Sequence, residues 1–178
     1  MILIKGLVHI YTGNGKGKTT AALGQGFRSA GRGLKVYMVQ FLKTSETGEL
    51  FSCEKLGECF KIFRFEKKRD FFWNLNEAEK RELKEEIALA FEFAKNSMKS
   101  GQCDLLILDE IMGALHNKLI TESEVCELIR NKPAGIELIL TGRNAPQSLI
   151  DLADYVSEII PVKHPMEKGI GAREGIEY

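Results

Sequence analysis

Nine residues near the start of the chain constrain its fold more than any others: Thr12-Gly13-Asn14-Gly15-Lys16-Gly17-Lys18-Thr19-Thr20. They follow an apolar run, Leu7–Tyr11, that reads as a strand, and they open a helical stretch, Lys18–Gly31, that ends at a glycine. A strand, a glycine-rich turn and a helix opening on Gly-Lys-Thr form a phosphate-binding loop. Glycines let backbone N–H groups turn inward onto phosphate oxygens, and the helix N-terminus adds partial positive charge. Lys18 supplies a mobile cation, Lys16 a second one, and the Thr19 hydroxyl can ligate Mg2+. One position departs from the usual pattern. Glycine is expected five residues before Gly17, where this chain has Thr12. Threonine does not readily adopt glycine-only dihedrals, so the loop is expected to hold a triphosphate in an unusual way.

The rest of the chain alternates strands and helices. Strands are expected at Lys35–Phe41, Phe60–Phe65, Leu105–Leu108, Glu137–Leu140 and Tyr155–Ile160, and helices at Asn76–Lys99, Thr121–Arg130 and Pro146–Leu152. Lys43–Glu49 reads as a polar loop. Thr121 with Glu124 forms a capping box. Continuous apolar strands between amphipathic helices imply a parallel sheet covered on both faces. The expected fold is therefore α/β: a three-layer P-loop NTPase-like (RecA-like) architecture with a mostly parallel central sheet of about six strands, formed by residues 1–178 as a single domain.

The apolar run Leu105-Leu106-Ile107-Leu108 ends in Asp109-Glu110. An acid at the end of such a strand is what Mg2+ beside a phosphate loop requires. Asp109 can act through water, and Glu110 is either a second ligand or a structural acid bonded to a neighbouring loop.

Bulk composition excludes several classes. The 25 Lys plus Arg balance 25 Asp plus Glu over 178 residues, for a net charge of zero. That balance argues against nucleic acid and against a polybasic membrane anchor. No run approaches the roughly 20 apolar residues of a membrane-spanning helix. The first residues lack a basic region and a cleavage site, so no signal peptide is read and a cytoplasmic location is expected. Cys53, Cys59, Cys103 and Cys126 form no CxxC pair and do not cluster with His9, His116 or His164. They are expected to be reduced thiols and not zinc ligands.

Several further blocks narrow the function: GNGKGKTTAALG with Arg28 behind it, VQFLK at 39–43, Gly48-Glu49, FFWN at 71–74, LDEI at 108–111, ELILTGRNAP at 137–146, LADYVSEIIPVKHP at 152–165 and the final IGAREGIEY. Together they resemble the ATP:corrinoid adenosyltransferases, over nearly the whole chain from Gly6 to Tyr178. The resemblance implies transfer of the 5′-deoxyadenosyl group of ATP to the Co(I) of a reduced corrinoid, cobalamin or cobyrinic acid a,c-diamide, with release of triphosphate, in adenosylcobalamin biosynthesis or salvage. It implies that Gly13, Asn14, Gly15, Lys16, Gly17, Lys18, Thr19 and Thr20 bind the ATP phosphates. Lys18, Thr19, Arg28 and Glu110 would serve catalysis, with Thr19, Asp109 and Glu110 around Mg2+. Phe71 and Trp73 would form an apolar wall beside the lower corrin face, with Phe72 a competing register and ordinary core packing the plainer alternative. Such a wall displaces an axial ligand and eases reduction of Co(II), so neither His116 nor His164 is assigned to cobalt. Arg143 and Lys163-His164 fall on the expected ligand side of the sheet. A flavoprotein electron donor and a homodimer are implied as partners. Some members cover the corrinoid with an N-terminal extension; here the tail or a partner subunit is expected to supply that cover. With the triphosphate leaving, Thr12 suggests that the loop grips ATP in a direction that exposes C5′ to the corrin. The competing readings are a P-loop ATP hydrolase or kinase of unknown substrate, and a nucleotide-dependent binding module without catalysis.

Overall fold

The computed structural model describes residues 5–178. Six strands and six helices follow in the order β1 (Val8–Thr12), α1 (Lys18–Ala30), β2 (Val36–Gln40), α2 (Gly48–Leu56), β3 (Phe60–Phe63), α3 (Glu77–Lys99), β4 (Leu105–Asp109), α4 (Ile111–His116), α5 (Glu122–Arg130), β5 (Glu137–Thr141), α6 (Gln147–Ile150) and β6 (Tyr155–Glu158). The strands form one sheet in the order β3-β2-β4-β5-β1-β6, and every neighbouring pair is parallel. This is the three-layer P-loop architecture expected from the alternation.

Successive side chains of a strand point to opposite faces, and β4 shows both layers. Leu105 and Ile107 pack with Ala22 of α1 and Cys53 of α2. Leu106 and Leu108 pack with α3, α4 and α5 through Ile87, Phe91, Ile111 and Val125. All five β4 residues are buried, as a central parallel strand requires. Helix α3 begins at a full capping box, in which Asn76 accepts from Ala78 and Glu79 while Glu79 reaches back to the Asn76 N–H. Thr121 and Glu124 form the capping box expected at the start of α5.

The structure corrects the expected loop at Lys43–Glu49. Helix α2 starts inside it, at Gly48, with no side-chain cap on Thr47. Only Cys53 of this helix is buried, because the helix turns much of its surface to a cavity, and its apolar stripe is too thin to read. Helix α4, absent from the expected elements, is also uncapped and has Gly113 in its middle. Strand β6 departs from the rule of two covered faces. It forms one edge of the sheet, with all four residues exposed.

The four cysteines are free thiols, three of them buried. Among the described residues no helix is long and apolar enough to cross a membrane.

Glu66, just past β3, is a half-buried acid without full partnership. Its Oε1 has no hydrogen-bond partner. Burial pushes the carboxyl up from 4.5 to about 7, against the pull of the nearby Leu42 N–H. The unfolded chain releases this proton first, so between pH 4.5 and 7 the folded state binds more protons and stability falls as pH rises. Glu66→Gln keeps the shape of the side chain and removes the ionisation. Urea unfolding of this variant is expected to match the parent near pH 4 and to exceed it by about 2 kcal/mol at pH 8.

Candidate functional site

The first strand delivers the phosphate loop. Thr12 is the last residue of β1, and its hydroxyl accepts the Ala145 N–H at 3.3 Å. Its place therefore asks for an extended, hydrogen-bonding residue, and the side chain ties the loop to the Gly142–Pro146 turn after β5. Gly13 (φ 97°) and Gly17 (φ 124°) occupy the positive-φ region, where other residues are strained. Gly13 and Gly15 also press on the segment after β6. A Cβ on either would lie 2.5 or 2.8 Å from the Ile159 carbonyl oxygen. The Gly15 N–H donates to that same oxygen at 2.7 Å. One loop amide expected to point at phosphate is thus engaged by the chain itself.

Lys18 Nζ donates to the Gly15 carbonyl at 2.9 Å. Burial pulls its pKa below the ordinary lysine value, a shift opposed by Glu110 and Asp109 and reinforced by Arg143. Thr19 Oγ1 donates to Asp109 Oδ1 at 2.8 Å, so the loop and the acidic end of β4 meet as the spacing implied. Thr141 donates to the same oxygen at 2.7 Å, and Gln40 Nε2 donates to Asp109 Oδ2 at 3.1 Å. Asp109 is 1% exposed and accepts all three of these bonds, with acceptor capacity left on Oδ2. Glu110 is different. It sits in the left-handed conformation (φ 60°) and lines the cavity. Burial, and secondarily Asp109, raise its pKa, against the pull of Lys18, Arg143 and Lys43. A Cβ on Gly113 would lie 3.1 Å from Glu110 Oε1, so that glycine leaves room for the carboxylate.

These groups floor a cavity of about 1520 Å³ lined from the loop, α1, α2, the carboxyl ends of β2 and β4, and the final residues of the chain. Open α/β sheets place ligands at this end. Its volume exceeds the roughly 300–1,000 Å³ of an ordinary small-molecule pocket. Phe71 and Trp73 line it 65% and 75% exposed, stacked with centroids 4.8 Å apart and planes within 3°. Phe72, between them, packs on the core under Lys80. The two outer rings are surface residues, not core.

The structure brings Lys16, Gly17, Lys18, Thr19, Thr20, Asp109, Glu110, Phe71, Trp73 and Arg143 to one cavity. Gly13, Asn14 and Gly15 are not among its walls. Lys163 and His164 are not among its walls, and His164 instead accepts the Met166 N–H. Arg28 is also not brought to it. It lies exposed in the last turn of α1, about 15 Å along the helix from Lys18, where its charge complements the helix dipole.

Sequence reasoning missed a polar network behind Asp109. Gln40 bridges Asp109 and Glu49, Lys43 pairs with Glu49, and Arg64 donates to Gln40 Oε1 at 2.8 Å. Burial opposes ionisation of Glu49, yet bonds from Lys43 and Gln40 hold its carboxyl down at about 2. Gln40 and Lys43 sit in VQFLK and Glu49 in the Gly-Glu pair, so the blocks were visible although their pairing was not.

Residues 4–178 match the family model described as ATP:corrinoid adenosyltransferase BtuR/CobO/CobP. The chain is similar to the corrinoid adenosyltransferase of Escherichia coli (strain K12), 34% identical over 98% of this chain and 86% of the relative. It is also similar to those of Salmonella typhimurium, at 35% identity over 98% and 86%, and of Sinorhizobium sp, at 36% over 98% and 81%. Among solved structures it resembles a KaiC-like protein from Pyrococcus horikoshii OT3, with a TM-score of 0.53 and 19% identity over 88% of this chain and 73% of that one. That likeness concerns the fold.

Proposed function

The chain belongs to the ATP:corrinoid adenosyltransferase family, and on that premise we propose how its residues divide the work of moving an adenosyl group from ATP to a corrinoid. The single observation that carries the reading is one cavity joining a cationic phosphate loop to an exposed aromatic stack. A hydrolase or kinase has no use for the second feature, and the family does not favour that alternative.

In the proposed step the Co(I) lone pair attacks C5′ of ATP. The C5′–O bond breaks, its electron pair leaves with the triphosphate, and cobalt becomes formally Co(III). The nucleophile is the metal of the substrate, so no general base is required. The protein's task is to stabilise charge on the leaving triphosphate. Lys18, with the Gly17, Thr19 and Thr20 backbone at the start of α1, is suited to it, and Lys16 and Arg143 add cations. Gly13, Asn14 and Gly15 set the loop's shape. The reacting carbon lies at the end of the triphosphate opposite to that used by hydrolases, which supports a grip on ATP that turns C5′ toward the aromatic wall.

Mg2+ fits the residues present. The Thr19 hydroxyl and the Asp109 carboxylate touch at 2.8 Å, and Glu110 adds a second hard oxygen donor beside them. Among the described residues no three His, Cys, Asp or Glu side chains form a cage on their own, which suits an ion shared with phosphates. When bound, Mg2+ would neutralise phosphate charge. We further propose a homodimer supplied with electrons by a flavoprotein.

Phe71 and Trp73 are proposed to form the wall beneath the corrin. Being exposed, they are expected to tolerate truncation. The double variant Phe71→Ala/Trp73→Ala should unfold within about 0.5 kcal/mol of the parent. It should lose at least about tenfold in turnover with a Co(II) corrinoid and a reductant, since each stacked ring contributes on the order of 1 kcal/mol. The function itself is tested by incubating the protein with ATP, Mg2+ and reduced cobalamin. A light-sensitive cobalt–carbon product with tripolyphosphate is expected, and ADP with an unaltered cobalt spectrum would refute the reading.

A further inference from the structure

The cavity contains a cation that the phosphate loop does not supply. Lys43 follows β2 and lines the cavity with Lys18 and Arg143. Its Nζ lies 2.8 Å from Glu49 Oε1 and 3.8 Å from Asp109 Oδ2.

This ammonium is held in place from behind. Arg64, just past the end of β3, donates Nε to Gln40 Oε1 at 2.8 Å, one terminal nitrogen to the Ser45 carbonyl at 2.6 Å and the other to Thr47 Oγ1 at 2.7 Å. Gln40 and Thr47 are 1% and 3% exposed. A single planar fork thus clamps both ends of the turn that carries Lys43, a task matched to guanidinium geometry. It also fixes the Gln40 amide. With Oε1 committed to Arg64, the NH2 must face Glu49 and Asp109, and a flip would set oxygen against two carboxylates.

Glu49 has partners to spare. Its Oε1 accepts from Gln40 at 3.0 Å and lies 3.8 Å from Arg64. Lys43 can leave it without stranding a buried charge. A polyanion in the cavity offers that ammonium a stronger partner at little cost to the network.

We propose that Lys43 contacts the triphosphate of the bound nucleotide and that Arg64 is the positioning residue that presents it. This rests on the reading that the 13–20 loop holds a triphosphate.

The test uses the full chain and inorganic tripolyphosphate with Mg2+, titrated by calorimetry, so that corrinoid chemistry plays no part. Lys43→Ala is expected to bind about 10–100-fold more weakly, the effect of one lost charge-assisted contact, while melting close to the parent. Arg64→Ala should weaken binding similarly, and the double variant should bind no more weakly than Lys43→Ala alone. Arg64→Lys keeps the charge without the fork and should behave as Arg64→Ala, which serves if the alanine variant folds poorly. Binding by Lys43→Ala within twofold of the parent, or additive losses in the double variant, would overturn the proposal. Lys18→Ala is the reference. A loss there with none at Lys43 refutes this inference alone, whereas no loss in either refutes the triphosphate site.

Discussion

Lys18→Ala lowers the rate of adenosyl transfer by at least about 10²-fold, the usual loss when one preorganised donor to a developing charge is removed. The variant should fold normally, because among the described residues the one hydrogen bond of the Lys18 side chain is to the Gly15 carbonyl in its own loop. Two features make the loss large. Burial already disfavours the ammonium where it stands, so a departing polyanion is the partner that best repays its charge. Of the neighbouring cations, Lys16 already lies 3.9 Å from Glu177 and Arg143 belongs to the turn after β5, so neither stands where Lys18 does at the start of α1. Single-turnover measurement of the cobalt–carbon product, with ATP saturating, checks the result. A fall in the rate of this step places the interaction in the transition state, and a rise in KM alone would place it in ground-state binding.

The second large effect is expected at Asp109. In Asp109→Asn one carboxylate oxygen becomes an amide NH2. Oδ1 accepts from Thr19 and Thr141, and Oδ2 accepts from Gln40. Arg64 holds the Gln40 oxygen, so the new amide must keep its own oxygen toward Gln40 and turn its NH2 to the two hydroxyls, which then accept where they had donated. The variant should lose about 1–2 kcal/mol of stability, because bonds to a buried charge become neutral ones. It should also lose about 10–100-fold in activity at low Mg2+, the scale seen when a group orienting a metal site is removed. Part of the activity should return as Mg2+ is raised. A variant that stays inactive over the whole Mg2+ range would place Asp109 outside the metal's surroundings.

The sheet was legible because its strands are short, apolar and regularly spaced, and the phosphate loop because glycine and lysine at those positions have few other uses. Helices α2 and α4 were not. Each lacks a capping box, and α2 turns one face to the cavity, so neither carries a full apolar stripe. Thr12 was read as a departure that alters the loop's grip on ATP; that it also closes β1 and accepts the Ala145 N–H was hidden, because this partner lies 133 residues away and no local pattern reveals it. Arg28 was carried over with its motif, but helical rise takes it away from the loop. The network of Gln40, Glu49 and Arg64 escaped because each residue alone resembles an ordinary polar neighbour of a strand, and only folding brings them together.

The strand order has a further consequence. The phosphate loop springs from β1 and the aromatic stack from the segment after β3, with β5, β4 and β2 between them. At about 4.8 Å per strand the two roots stand roughly 19 Å apart. That separation is written in backbone hydrogen bonds and does not depend on a hinge. The sheet therefore works as a ruler: substrates laid along it meet at a preset gap, and much of the ordering that brings reactants together is completed when the chain folds.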